Sequence, residues 1–70
     1  MSELTVRQSV VLNTIKKFIK KHGVPPTYSE IAVECGMSRN GAFEHVQAIA
    51  KKGYIEFGGL SSRNIRIVQE

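Results

Sequence analysis

Residues 27–53 read TYSEIAVECGMSRNGAFEHVQAIAKKG, a pattern that predicts two helices joined by a tight turn. Thr27 followed by Glu30 has the form of a capping box, which predicts the start of a helix. Gly36 ends that helix, and Ser38 can cap the next one only two residues later. Two helices joined by so tight a turn are typical of a helix-turn-helix.

The second helix of this pair, expected from Ser38 to about Lys52 with Gly53 as its stop, has two different faces. The side expected to face the core carries small and branched apolar residues: Ala42, Val46 and Ile49. The opposite side carries two amides, an aromatic ring, a carboxylate and a cation: Asn40, Phe43, Glu44, Gln47 and Lys51.

The side chains on that opposite face match the groups that base edges present in the major groove of DNA. Asn and Gln can pair with adenine, Glu can accept from the amino group of cytosine, and an apolar ring can pack on the methyl group of thymine. The first turn, from Ser38 to Gly41, offers backbone N–H groups suited to a phosphate, and a glycine there suggests close approach to some other group. The alternative is an ordinary solvated face, with Phe43 folded back onto Tyr28.

The segment before this pair predicts a first helix. Thr5 and Gln8 form another capping box, and Gly23 followed by Pro25-Pro26 predicts the end of the helix. Apolar residues recur at helical spacing between these points: Val11, Ile15, Phe18 and Ile19. Cys35, on the apolar face of the next helix, is interpreted as a small buried hydrophobe.

The pattern changes after Gly53 and predicts a β-hairpin. Residues 54–57 and 64–68 are short and β-prone, and the six residues between them are polar and glycine-rich. Ser62 and Arg63 fall in this loop, where a wing can touch phosphate or the minor groove. The alternative is a plain solvated turn. The fold class expected is therefore mainly α with a small β-hairpin: a winged helix-turn-helix of three helices and a two-stranded antiparallel wing, in one domain of residues 1–70.

The basic charge balance favours a polyanionic partner, but so modest a net charge is also found on proteins that bind none. The chain has 70 residues, ten Lys and Arg against six acidic residues, and a net charge of +4. Cys35 is the single cysteine, which excludes an intramolecular disulfide and a cysteine-rich metal site, and we expect no cofactor. No apolar run approaches the roughly 20 residues of a membrane span, and residues 1–8 do not resemble a signal peptide. We therefore expect a cytoplasmic protein, in a bacterium or a phage-infected cell.

The chain resembles the N-terminal DNA-binding domain of LexA-type repressors of the SOS response. The matching pieces, in order, are Leu4-Thr5-x-Arg7-Gln8, Gly23-x-Pro25-Pro26-Thr27, Glu30-Ile31-Ala32, Gly36, Ser38-x-Asn40, Glu44-His45, Ala48-x-Ala50-x-Lys52-Gly53-x-Ile55-Glu56 and Ser62-Arg63-x-Ile65-Arg66. The resemblance implies a winged helix that binds an operator in double-stranded DNA as a transcriptional repressor. It also implies that the base-reading positions fall on Ser38, Asn40, Gly41, Phe43 and Glu44.

Three departures from the family pattern predict a different operator. The turn before Ser38 is one residue shorter, Arg39 stands where the family usually has Pro, and Phe43 replaces a carboxylate. Together with the helix face and the wing, the resemblance gives the full set of candidate DNA-binding residues: Ser38, Arg39, Asn40, Gly41, Phe43, Glu44, Gln47, Lys51, Ser62 and Arg63.

Two other function classes compete with DNA binding. Winged helices also bind proteins, so the domain could contact another regulator as an antirepressor does. An enzyme is the poorest interpretation, because the chain has no Asp and no Gly-rich phosphate loop, and only Ser61 or Ser62 with His45 offers a nucleophile pair. LexA-type repressors also carry a self-cleaving domain, whereas this chain stops at Glu70, as an excised domain or a free-standing regulator. We expect the isolated chain to be a monomer that pairs on a palindromic operator.

Overall fold

Three helices precede a two-stranded antiparallel sheet in the computed structural model, which describes residues 3–58 and 65–68. The elements are α1 (Val6–His22), α2 (Tyr28–Cys35), α3 (Arg39–Lys51), β1 (Ile55–Phe57) and β2 (Ile65–Ile67). The order and types of these elements confirm the predicted winged helix-turn-helix.

Two reciprocal capping boxes begin α1 and α2, as predicted. Thr5 accepts from the N–H of Gln8 and the Gln8 side chain accepts from the N–H of Thr5, both at 3.1 Å. Thr27 and Glu30 make the same pair of bonds, at 3.1 and 2.8 Å. Each pair satisfies two N–H groups that a helix start otherwise leaves without an acceptor.

Left-handed glycines end the same two helices. Gly23 has φ 78° and Gly36 has φ 66°, a region that costs glycine no steric strain. The N–H of Gly23 donates to the carbonyl of Ile19 and that of Gly36 to Ala32, so both helices close with a helical bond. Both predicted stops are confirmed.

The last helix begins and ends as the sequence predicted. The Ser38 hydroxyl accepts from the N–H of Gly41 at 3.0 Å, which fixes the first turn of α3. Lys52 is the C-cap, and Gly53 follows with φ 90°. The turn from α2 to α3 is therefore only three residues long, 36–38, which holds the two helices at the close spacing of a helix-turn-helix.

The hairpin pairs Ile55 with Ile67 and Phe57 with Ile65. The strands are shorter than predicted, since Tyr54 and Val68 lie just outside them, although the N–H of Val68 still donates to the Tyr54 carbonyl at 3.0 Å. The hairpin loop, which includes the candidates Ser62 and Arg63, lies outside the described residues.

The core is built from the apolar faces of all three helices and both strands. Its buried residues are Val11, Leu12, Ile15, Ile31, Ala32, Ala42, Val46, Ile49, Ile55 and Ile65. The predicted stripe of α1 is confirmed at Val11 and Ile15, whereas Phe18 and Ile19 are only half-buried.

The prediction that the Cys35 side chain is buried was wrong. The side chain is half-buried, because it lies in the last turn of α2 at the edge of the core. Its thiol donates to the hydroxyl of Thr14 on α1 at 3.4 Å, a weak bond that a purely apolar role does not require.

Candidate nucleic-acid interface

The α3 helix buries one side and exposes the other. Ala42, Val46 and Ile49 are fully buried, as the sequence predicted. The candidate residues that the structure describes are exposed or, for Gly41 and Phe43, half-buried: Ser38, Arg39, Asn40, Gly41, Phe43, Glu44, Gln47 and Lys51. Five of them lie on the side of α3 away from the core (Asn40, Phe43, Glu44, Gln47 and Lys51), and the other three lie at its N-terminal end.

The first turn of α3 combines free backbone donors with a cation. Ser38 satisfies the N–H of Gly41, whereas the N–H groups of Arg39 and Asn40 precede the helical hydrogen-bond ladder and point out of the helix end. The side chains of both residues are exposed. A helix start with outward N–H groups and an arginine is electrostatically suited to an anion such as a phosphate.

A contact inside the protein favours glycine at position 41. A Cβ at this position would lie 3.2 Å from the Ser38 hydroxyl oxygen, closer than most Cβ contacts. The close neighbour that the sequence suggested is therefore present as the cap of the same helix. Approach of an external partner to Gly41 stays a prediction.

Phe43 packs against Tyr28, the alternative that the sequence left open. The two ring centroids are 5.1 Å apart and the ring planes meet at 85°, an edge-to-face contact. Such contacts contribute about 0.5–1.5 kcal/mol beyond the area they bury. Both rings nevertheless remain only half-buried, so part of the pair stays at the surface.

Tyr28 is a residue of this surface that sequence reasoning did not include among the candidates. It is the first residue of α2 and reaches the α3 side through Phe43. Burial raises the pKa of its phenol above the ordinary value of 10.0, and the group, neutral at physiological pH in any case, stays neutral to still higher pH. A neutral phenol adds no repulsion toward a polyanion. The sequence feature that could have identified Tyr28 as part of this surface was its possible contact with Phe43.

Two adjacent lysines at the end of α3 have different surroundings. Lys51 is exposed on the same side as Gln47. Lys52 is half-buried, and its ammonium group donates to the Glu3 carbonyl at 2.9 Å and to Gln8 Oε1 at 2.7 Å. Of the two cations, only Lys51 is placed to meet an external anion.

Further positive charge lies on α1 and on the hairpin. Lys17, Lys20 and Lys21 are exposed along α1. Arg66 on β2 is paired with Glu56 on β1, and both side chains are largely exposed. This cross-strand pair offsets part of the hairpin's charge, so the net basic character of the described residues is concentrated on the helices.

The parts of the chain that the structure describes contain neither a helix suited to crossing a membrane nor a group of three or more metal-ligating side chains.

Comparison with known proteins identifies one family. The family model described as the LexA DNA binding domain matches residues 1–64. The LexA repressor of Pseudomonas aeruginosa strain LESB58 is 50% identical over 68 residues, which are 96% of this chain and 33% of that protein. The LexA repressor of Burkholderia cenocepacia strain HI2424 is 46% identical over 69 residues, 97% of this chain and 32% of that protein. The chain thus spans about a third of the length of these relatives.

Proposed function

The chain belongs to the LexA DNA-binding domain family, and from this membership we propose that it binds specific sequences of double-stranded DNA as the DNA-reading domain of a transcriptional repressor. The observation that carries the proposal is the exposed side of α3, where amide, carboxylate, aromatic and cationic side chains lie opposite a fully buried core face. The proposed activity is binding and not catalysis, and it would take place in the cytoplasm of a bacterium or a phage-infected cell.

The proposed binding mode places α3 in the major groove. Recognition helices contact base edges mainly through their N-terminal residues, so Asn40, Phe43 and Glu44 are assigned to base edges near the centre of the contact. Gln47 lies one turn further along the same side and is assigned to the edge of the site. An amide suits adenine and a carboxylate suits the amino group of cytosine.

Arg39 is assigned to the DNA backbone, since it lies at the N-terminal end of α3, where outward N–H groups and a guanidinium favour a phosphate. Ser38 and Gly41 lie at the same end and keep the base-reading assignment that the family resemblance implies. Lys51 is assigned to a second phosphate at the other end of the helix. Ser62 and Arg63 are assigned to the wing contact on the basis of sequence alone. Such contacts fix the position of the helix without reading sequence.

We also propose that the isolated domain is a monomer and that two copies pair on a palindromic operator. A single domain then binds one half-site weakly, because it lacks the effective concentration that a linked second domain supplies.

The test begins with selection of bound duplexes from a random pool, followed by affinity measurements on the enriched sequence at several salt concentrations. The expected result is an enriched motif and a logarithm of the binding constant that falls linearly with the logarithm of the salt concentration. Glu44→Ala combined with Gln47→Ala should lose preference for the motif. Asn13→Ala, at an exposed position of α1, serves as the control and should keep it.

Two results would contradict the proposal. One is the absence of any enriched sequence. The other is an affinity for DNA that does not change with salt, since contact with phosphates releases counterions. A domain with either property would fit better as a protein-binding winged helix that contacts another regulator.

A further inference from the structure

We propose that Tyr28 is a positioning residue that holds Phe43 for recognition of the C5-methyl group of a thymine. The inference rests on the proposed function and deepens it, since it names both a residue outside α3 and the base that the pair selects. The observation behind it is the edge-to-face contact between the two rings, at a centroid distance of 5.1 Å.

The two rings are attached to a rigid part of the fold. Tyr28 opens α2, directly after the Thr27 cap, and Phe43 lies in the second turn of α3. Ile31 on α2 and Ala42 and Val46 on α3 are fully buried in one cluster, which fixes the two helices relative to each other. The edge-to-face contact therefore favours one orientation of the Phe43 ring relative to the two helices.

Phe43 lies in the middle of the polar candidates on α3. Asn40 is three residues before it and Gln47 four residues after it, so all three share one side of the helix. A helix that places these amides against base edges also brings the Phe43 ring to the same groove. The ring offers no polar atom, so it would leave a base donor or acceptor without a partner.

Thymine is the one base that presents an apolar group in the major groove. A half-buried aromatic ring fits that methyl group better than it fits any of the other base edges. The contact with Tyr28 has already restricted the ring in the free protein, so docking costs less side-chain entropy than it would for an unsupported Phe. The neutral Tyr28 phenol adds no charge beside the site.

The experiment replaces each thymine of the selected duplex by uracil, one position at a time, which removes only the methyl group. For the unaltered domain, one position in each half-site should lose about fourfold in affinity, the effect of burying one methyl-sized group. Phe43→Ala should abolish the difference between thymine and uracil at that position. Tyr28→Ala should reduce the ratio toward one, and Tyr28→Phe should retain it because the ring is kept.

A control separates positioning from a general loss of stability. Ile49→Val trims a fully buried side chain on the core side of α3, away from the side that carries Phe43, and should lower the melting temperature without changing the thymine-to-uracil ratio. The ratio compares two duplexes on one protein preparation, so a partly unfolded variant still gives a valid value.

The proposal is overturned if the unaltered domain tolerates uracil at every position, or if Tyr28→Ala keeps the full ratio. Both results would leave salt-dependent, sequence-specific binding intact and would thus contradict only this inference. If no sequence is enriched at all, the proposed function fails, and the inference fails with it.

Discussion

The ammonium group of Lys52 lies 2.7 Å from Oε1 of Gln8, and the two residues are 44 positions apart in the chain. The same oxygen accepts the backbone N–H of Thr5, and the same ammonium group donates to the carbonyl of Glu3. The end of α3 is thereby bonded to the capping box that begins α1. Lys51, the preceding residue, is exposed on the candidate DNA-binding side.

The different surroundings of Lys51 and Lys52 predict different effects for substitutions at these two positions. Lys52→Met keeps most of the aliphatic stem but removes the donor, and should lower the free energy of unfolding by about 1 kcal/mol. Lys51→Met should leave stability nearly unchanged and reduce the slope of DNA affinity against salt by about one phosphate contact. Thermal unfolding and a salt series on the same two variants measure both effects. Equal destabilisation by the two substitutions would show that the hydrogen bond from Lys52 to Gln8 makes no specific contribution to the free energy of unfolding.

Asn40→Ala should change sequence preference without changing stability. The cap of α3 is made by Ser38 and Gly41, so the Asn40 side chain is not required for it. Loss of an amide that pairs with adenine should reduce discrimination at one base position by roughly 1–3 kcal/mol. Competition between duplexes that differ at one base measures this, with Asn13→Ala as the matched control on α1. A lower melting temperature with unchanged relative affinities would assign Asn40 a structural role instead.

Gly41→Ala tests the reason for the glycine. Alanine favours the helix by up to about 1 kcal/mol, but its Cβ would crowd the Ser38 hydroxyl at 3.2 Å. Ser38→Gly removes that oxygen at a cost of only a few tenths of a kcal/mol. Gly41→Ala should therefore stabilise the Ser38→Gly variant more than the unaltered domain, by roughly 0.5 kcal/mol. Denaturant unfolding of the four proteins gives this coupling, and an equal gain in both backgrounds would exclude crowding by the cap.

The aromatic pair should be visible in a tyrosine titration. Tyr54→Phe leaves Tyr28 as the single tyrosine of the chain. Burial disfavours the charged phenolate, so the ultraviolet absorbance of tyrosinate should appear with a midpoint above 10.0. Adding Phe43→Ala exposes the phenol and should move the midpoint down toward that value. A midpoint that does not respond to Phe43→Ala would show that the Phe43 ring does not contribute to the burial of the phenol.

Much of the helical architecture could be predicted from the sequence because it depends on bonds between residues three or four positions apart. Thr5 with Gln8, Thr27 with Glu30 and Ser38 with Gly41 fix the helix starts wherever the helices lie in space. The two faces of α3 also follow from a local rule, since helical periodicity alone puts Ala42 opposite Asn40. The candidate face of α3 was therefore predicted almost entirely from residues on one helix.

Contacts between side chains of different helices depend on how the helices pack. Lys51 and Lys52 are identical in the sequence, and the packing of α3 against the start of α1 makes one a structural contact and leaves the other exposed. Packing of α2 against α3 likewise turns Phe43 toward Tyr28, and the edge position of Cys35 leaves it half-buried. Where each helix begins and ends, and which of its faces is apolar, follows from the sequence alone, because these features depend on residues a few positions apart. The partners across helices depend on how the helices pack, and no spacing of residues along the chain specifies that geometry.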